Sequence, residues 1–369
     1  MPALDGGGVE RGTVEISRAL VERGHRSIVI STGGRLTDEL AAHGAEHISM
    51  DLGRKSPRTF LKIRPLRAWA ASEKVDVLHP RSRLPAWITF LAWRRMAPAT
   101  RPHFITSVHG LHSVSRYSQI TTAGERVEVV SQAAQQYTLQ HYPQTDAGKL
   151  VLIPRGVDPA LFPHNHQPTD RWTQEWFLRF PHLRNKFVIA LPGRLTRLKG
   201  HYDFLDILDH LKNSPHSFHG LIVGGEDPKR QAYADQLRQA VAQRGLTDYV
   251  TFTGHRTDVR DVLACCNAAV SLSTKPESFG RAVLESVALG VPTLGYDHGG
   301  VGEVLARVYP AGRIAKGDTA AAAHALMALA QGDTAPPLAD PTLNGLTLQA
   351  MCDRTLAMYE SVAAEPQGS

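Results

Sequence analysis

The chain is poor in cysteine and has no long apolar run, no low-complexity segment and no internal repeat. Three cysteines, Cys265, Cys266 and Cys352, in 369 residues supply neither a disulfide framework nor the ligand spacing of a structural zinc site. A reduced, cytoplasmic compartment is therefore expected. The longest apolar candidate, Leu84 to Trp93, is too short to span a bilayer. The first residues also lack the basic, apolar and small-residue order of a signal peptide.

What is present is an ordinary globular balance, 42% hydrophobic and 21% charged, over a length that fits two domains. The net charge of +6 is unevenly placed. Residues 1–165 hold 21 Lys and Arg against 14 Asp and Glu, a balance of +7, and the remainder hold 20 against 21, a balance of −1. The N-terminal half is thus expected to face an anionic partner.

Short β-branched runs alternate with longer amphipathic stretches. Strands are predicted at Ser27–Ser31, Val75–His79, His103–Val108, Val127–Ser131 and Leu150–Pro154. A second set follows at Phe187–Leu191, Gly220–Val223, Tyr249–Phe252, Ala268–Leu272 and Thr293–Gly295. Helices are predicted between them, among others at Gly12–Arg23, Tyr202–Lys212, Lys229–Arg244 and Arg281–Leu289. This alternation predicts an α/β fold of two doubly wound parallel-sheet domains. The boundaries are expected at 1–160, a linker over 161–186, 187–343, and a closing helix and tail over 344–369. The strand that should feed the Gly6-Gly7-Gly8 loop has only Met1–Leu4 left for it. Either that strand is short or the native chain starts upstream.

Two loops carry the chemistry. In KPESFGRAVLESVALGVP, Glu277 precedes a helix that holds Glu285, and the loop lies beyond the carboxyl end of a strand, where open α/β sheets bind ligands. The N–H groups of Phe279, Gly280 and Arg281 suit a diphosphate. Eight residues at helical rise separate the glutamates by roughly 12 Å, which suits a ligand with hydroxyls on both sides of a diphosphate. The alternative is that Glu277 is favourable helix-start charge and Glu285 pairs with Arg281 at i, i+4. In LPGRLTRLKGHYDF, Arg194 and Lys199 again follow a strand, and they read either as a diphosphate clamp that needs no metal or as solvated surface charges. The glycines of LDGGGVERG allow close backbone approach but do not form a dinucleotide fingerprint.

Together these pieces resemble the group 1, family 4 retaining glycosyltransferases of the GT-B fold. The matching segments are GGGVER, SVHG at Ser107–Gly110, IPRGVD at Ile153–Asp158, GRLTRLKG, and the E-x7-E followed by GVP. RSRLPAW and SRYSQITTAGERV further resemble bacterial members that build lipopolysaccharide core or other surface glycans. The resemblance implies two Rossmann-like domains facing across a cleft and transfer of a sugar from a nucleotide sugar to a glycan or glycolipid. It implies that Arg194 and Lys199 bind and stabilise the leaving diphosphate, Glu277 holds the transferred sugar and Glu285 the ribose. Phe279 and Gly280 would give backbone contacts, Gly254 and Arg256 would cradle the base, and Gly7 and Gly8 would approach the donor. His109 would lie near the donor sugar. No Asp-x-Asp occurs in the chain, so metal-independent transfer with no cofactor is expected, and the resemblance implies retention.

Arg81 and Arg83 follow the strand Val75–His79 and are candidates for an anionic group on the acceptor. The segment Gly53–Trp69 holds six cations and no acid, with Phe60, Leu61, Ile63, Leu66 and Trp69 interleaved. It reads either as an anionic-membrane contact, peripheral on the inner face of the cytoplasmic membrane, or as a solvated face interrupted by Pro57 and Pro65. No zinc-finger spacing or RNP-like segment supports nucleic acid as the partner. A nucleotide-sugar epimerase and a non-catalytic nucleotide-sugar-binding protein are the rival functions.

Overall fold

The computed structural model describes residues 1–226, 231–333 and 343–365. It forms two compact units, one of Met1–Arg155 with the chain from Leu348 onward, the other of Gly156–Thr347.

In the first unit the strands are β1 (Ile28–Ser31), β2 (Glu46–Ser49), β3 (Val77–Leu78), β4 (His103–Val108), β5 (Arg126–Val129) and β6 (Leu150–Leu152). All pairings are parallel, in the orders β2-β1 and β3-β4-β5-β6. Every residue of β4 is buried, as expected of a strand covered by helices on both faces. The helices of this unit include α1 (Gly8–Glu22), α2 (Thr37–Ala42), α3 (Ile63–Ser72), α4 (Arg83–Trp93) and α5 (Gln132–His141). The closing helix, Leu348–Ala363, packs Met351, Cys352, Met358 and Val362 against Ile16, Ile105 and Ile153 of this unit. Residues Met1–Leu4 run beside β1. The Met1 ammonium donates to Ile30 O at 2.9 Å, Thr32 N donates to Pro2 O at 3.1 Å, and Leu4 N donates to Gly33 O at 2.9 Å. A cavity of about 390 Å³ lies at the division between the two strand groups, with Ile28, Ile30, Val77, Leu78, Leu66 and Trp69 among its walls.

The second unit holds β7 (Phe187–Pro192), β8 (Phe218–Val223), β9 (Val250–Gly254), β10 (Ala268–Ser271), β11 (Thr293–Tyr296) and β12 (Arg313–Ile314). Its single parallel sheet has the order β12-β11-β10-β7-β8-β9. The helices are α6 (Asp170–Arg179), α7 (His201–Leu211), α8 (Gln231–Gln243), α9 (Val259–Ala264), α10 (Arg281–Ala288), α11 (Gly299–Val308) and α12 (Thr319–Gln331). Helix α7 buries Phe204, Leu205, Ile207, Leu208 and Leu211, an apolar stripe at helical spacing, on the sheet. Residues 161–186 are not a linker. Helix α6 and the turn after it bury Trp176, Phe180 and Leu183 against Val188, Leu221 and Ala269 of the sheet. The chain therefore passes between units at Arg155–Gly156 and again at Thr347–Leu348. The predicted start of α8 at Lys229 lies outside the described residues.

Candidate active site

The second sheet has one topological switch point. From β7 the chain lays down β8 and β9 on one side, then returns to place β10, β11 and β12 on the other. Ligands of open α/β sheets bind at such a point, beyond the carboxyl ends of the strands. The loops that leave β7 and β10 are those that carry Arg194 and Lys199, and Glu277 and Phe279. They are joined directly, with Thr274 N donating to Leu198 O at 2.8 Å. Gly200 makes this approach possible. Its φ is +70°, and a Cβ there would stand 1.9 Å from Leu272 O.

Glu277 is held from several sides. Lys199 Nζ donates to its Oε1 at 2.8 Å, and Ser273 Oγ donates to the same oxygen. The Glu277 carbonyl accepts from Gly300 N at 2.7 Å, while His298 Nε2 donates to Ser273 O at 2.8 Å. The side chains of Lys199 and Glu277 keep 24% and 21% exposure, so both charges stay open to a ligand. Gly280 caps α10, and Gly300 packs so tightly on Phe279 that a Cβ would sit 2.5 Å from the Phe279 amide nitrogen. The positive end of α10 therefore lies beside the Lys199–Glu277 pair, which is a favourable setting for an anion. Glu285 accepts from Arg281 Nε at 2.8 Å, so the i, i+4 ion pair is formed. Arg194 is exposed. Gly254 ends β9 with φ +72° and open space where a Cβ would stand. Arg256 donates through Nε to Asp258 Oδ1 at 2.8 Å and lies 5.4 Å over the Trp176 ring. Asp258 also accepts from Trp172 Nε1 at 2.7 Å, so Arg256 is anchored to α6.

In the first unit, Gly7 precedes α1 and Gly8 opens it. The Glu10 carboxylate accepts from Gly6 N at 2.6 Å and from Gly7 N at 3.0 Å. His109 follows β4 and meets two guanidinium groups. Arg155 Nη2 donates to its Nδ1 at 2.8 Å, and Arg81 Nε reaches Nε2 at 3.2 Å. Burial, then Arg155 and Arg81, hold the His109 pKa well below the ordinary histidine value, against the opposing charge of Glu128. Arg81 is only 6% exposed and lies within this cluster, so it is not an open surface cation. Arg83 is half-buried, donates to Ser118 Oγ at 3.0 Å and lies 5.3 Å over the Tyr117 ring.

Residues 6–161 match the family described as Glycosyltransferase Family 4, and residues 173–335 match Glycosyl transferases group 1. This chain belongs to the group 1, family 4 glycosyltransferases. It is similar to a solved glycosyltransferase from Rickettsia africae, with a TM-score of 0.84 and 26% identity over 99% of this chain and 97% of that one. It is also similar to HepE of Anabaena, solved with UDP and glucose, with a TM-score of 0.77 and 19% identity over 99% and 98% of the two chains. Those neighbours have the GT-B fold of two Rossmann-like domains, and this glycosyltransferase shares it. Among curated relatives, the lipopolysaccharide core biosynthesis mannosyltransferase LpsB of Rhizobium meliloti is 30% identical over 42% of each chain. Mannosylfructose-phosphate synthase of Agrobacterium fabrum is 32% identical over 41% of this chain and 33% of that protein. The chain thus spans about a third to two fifths of the length of these two relatives.

The structure of this glycosyltransferase brings Lys199, Glu277, Phe279 and Gly280 together at one crevice of the second unit. His109 and Arg81 meet in the first unit. Sequence reasoning missed Ser273 and His298, which hold Glu277 and its loop. It also missed Arg155 and Glu128. Arg155 lies inside IPRGVD, and the fixed spacing of that motif after a strand was the available signal. Glu128 sits within a strand pattern, where nothing in the sequence distinguished it.

Proposed function

We propose that this glycosyltransferase moves a hexosyl-type sugar from a nucleotide sugar to a glycan or glycolipid acceptor of the bacterial cell surface, with retention and without a metal. The observation that carries this reading is the Lys199–Glu277 pair at the head of α10, at the switch point of the second sheet. Breaking the anomeric bond loads negative charge onto the departing diphosphate. Lys199, Arg194 and the α10 N-terminus supply positive charge where it develops, and such preorganised charge is commonly the largest single source of rate enhancement in an enzyme. Glu277 accepts from sugar hydroxyls, Glu285 serves the ribose, and Gly254 leaves room beside the base. A route in which the departing phosphate takes the acceptor proton from the same face requires no protein base. The UDP-bound neighbour supports a nucleotide-sugar donor, and the lipopolysaccharide core biosynthesis relative supports a surface-glycan acceptor.

The decisive test is nucleotide release from UDP-, GDP- and ADP-sugars in EDTA, with and without a membrane glycolipid extract. Acceptor-dependent release from one donor, lost by about 100-fold or more in Glu277→Ala, is expected. Conversion of the donor without acceptor would instead identify an epimerase, and binding without any turnover a non-catalytic protein.

We also propose that the first unit touches an anionic membrane through residues 53–64. Phe60 and Leu61 are exposed, at 47% and 73%, among the exposed cations Arg54, Lys55, Arg58, Lys62 and Arg64. Apolar side chains inside a basic patch are what an anionic lipid surface binds.

A further inference from the structure

The cavity of the first unit lies where a further strand would fit. Strand β1 pairs with β2 and β3 pairs with β4, so among the described residues each has one edge without a ladder partner. The cavity of about 390 Å³ runs along both strands, with residues 27–30 and 75–78 in its walls. Helices cover both faces of these strands. Val29 packs with Val14 of α1, and Ile30 packs with Leu66 of α3 on the opposite face. Likewise Val77 packs with Ile16 of α1, and Leu78 packs with Ala70 of α3. A segment lying between β1 and β3 would be buried on both faces, the setting of a central parallel strand with a continuous apolar run. An apolar cavity of roughly 150 Å³ already holds a benzene molecule, so this space is large enough for several side chains.

Polar groups on the walls are engaged with one another. Ser17 Oγ meets Ser27 Oγ at 2.5 Å, Arg26 pairs with Glu46 and Glu73, and Tyr359 OH meets His79 Nδ1 at 2.7 Å. His79 Nε2 in turn meets Ser107 Oγ, which donates to the buried Glu128 at 2.8 Å. A polar ligand would find these groups taken, and a lipid chain would leave the N–H and C=O groups of two strand edges unpaired. An extended polypeptide satisfies both the edges and the apolar walls. The direction of entry is also set. Residues 1–4 climb beside β1 in its own direction, with Met1 N donating to Ile30 O, Thr32 N to Pro2 O and Leu4 N to Gly33 O. Behind Met1 the walls continue from Ile30 back to His25, the length of about five strand residues. Burial, with the Arg81 charge second, lowers the Met1 amino group to about 5, and a peptide bond would put an uncharged amide there instead. We propose that the cavity is a strand slot, filled by an extended apolar segment of about five residues joined to Met1, which unites β2-β1 and β3-β4-β5-β6 into one parallel sheet. The segment leads straight to Gly6-Gly7-Gly8 and so fixes the entry to α1.

The experiment compares the chain starting at Met1 with two extended chains. One carries Val-Ile-Val-Leu-Val joined to Met1 and the other Gly-Ser-Asp-Gly-Ser in the same place, each after an initiating methionine. The apolar extension raises the melting temperature by about 5 °C or more over the other two chains. Hydrogen exchange in β1 and β3 slows about tenfold or more, while β7 to β9 of the second unit keep their rates. If the apolar extension melts with the polar one and β1 and β3 exchange as before, no strand enters and the proposal fails. Stabilisation of the chain starting at Met1 by dodecanol, with none from the apolar extension, makes the cavity a lipid-chain site and also overturns it. Mass spectrometry of the N-terminal peptide from native cells reads the occupant without any variant. A peptide with an apolar run before Met1 is expected. A mature chain that begins at Met1 or Pro2, or a polar run in that place, overturns the assignment. These readouts need no turnover, so they stand apart from the transfer reaction.

Discussion

At the scale of single residues, three buried histidines contribute to how this protein responds to acid. Burial lowers His79 to about 3, His201 to about 4 and His219 to about 4. Each stays neutral in the fold but takes a proton in the unfolded chain near its ordinary value of about 6.5. The unfolded state therefore binds more protons over that interval. The contribution of each site is intact above about pH 6.5 and is lost progressively as pH falls toward about 4. Urea unfolding at pH 7.5 and pH 5 should show lower stability at pH 5, by up to about 1.4 kcal/mol per pH unit for each site. His219, whose Nε2 meets Thr251 Oγ1 at 2.9 Å, is the site to change. His219→Asn keeps a polar partner for Thr251 and should flatten the acid limb. An unchanged pH slope in that variant would remove His219 from the account.

At the scale of elements, the segment over Pro57–Lys62 and α3 was ambiguous in sequence and gains a direction in the structure. Its prolines fall at a tight 3₁₀ turn and in the first turn of α3, where proline is tolerated, rather than breaking a long helix. Leu66 and Ala70 of α3 face inward, while Phe60 and Leu61 stand outward. Sedimentation with anionic phosphatidylglycerol vesicles should retain the protein at low salt and release it at high salt, with little binding to neutral vesicles. Leu61→Asp should weaken that binding several-fold without changing stability, and equal binding by the variant would reduce the patch to a solvated face. Elsewhere the elements were legible where burial was two-sided. All ten predicted strands are present, because runs such as HFITSV and FVIALP carry the apolar signal of covered sheets. The two missed strands lack it. β2 reads EHIS with no buried residue, and β12 is the two-residue Arg313–Ile314. The Pro-, His- and Trp-rich stretch after Asp158 hid α6 because its helical face is made of Trp172, Trp176 and Phe180 rather than aliphatic residues. In the site, Lys199 and Glu277 were legible because each follows a strong strand signal by a few residues. Their supports were not, since His298 acts on a backbone carbonyl and Ser273 through a hydroxyl, and neither leaves a pattern in the chain.

At the scale of the whole molecule, the chain crosses between units twice, and the second crossing commits the closing helix to the first core. That core is separate in composition from the two clusters of the second unit, which contain no residue of the helix. The helix is tied on by more than apolar contact. Arg23 pairs with Asp353, Arg126 pairs with Glu365, and Tyr359 ends the buried hydrogen-bond chain at His79. Surface pairs of this kind add little, so the buried side chains of the helix carry its docking. Val362 is fully buried, and Val362→Asp would place a carboxylate there at a cost of about 3 kcal/mol or more. Hydrogen exchange should then accelerate in α1, β4 and β6, which meet the helix, while β7 to β11 keep their protection. The Tyr359–His79 contact would loosen with it, and so would the chain that leads through Ser107 to Glu128. Donor binding, proposed above for the second unit, should survive in this variant while transfer falls. Equal loss of protection in both sheets would show instead that the two cores unfold as one.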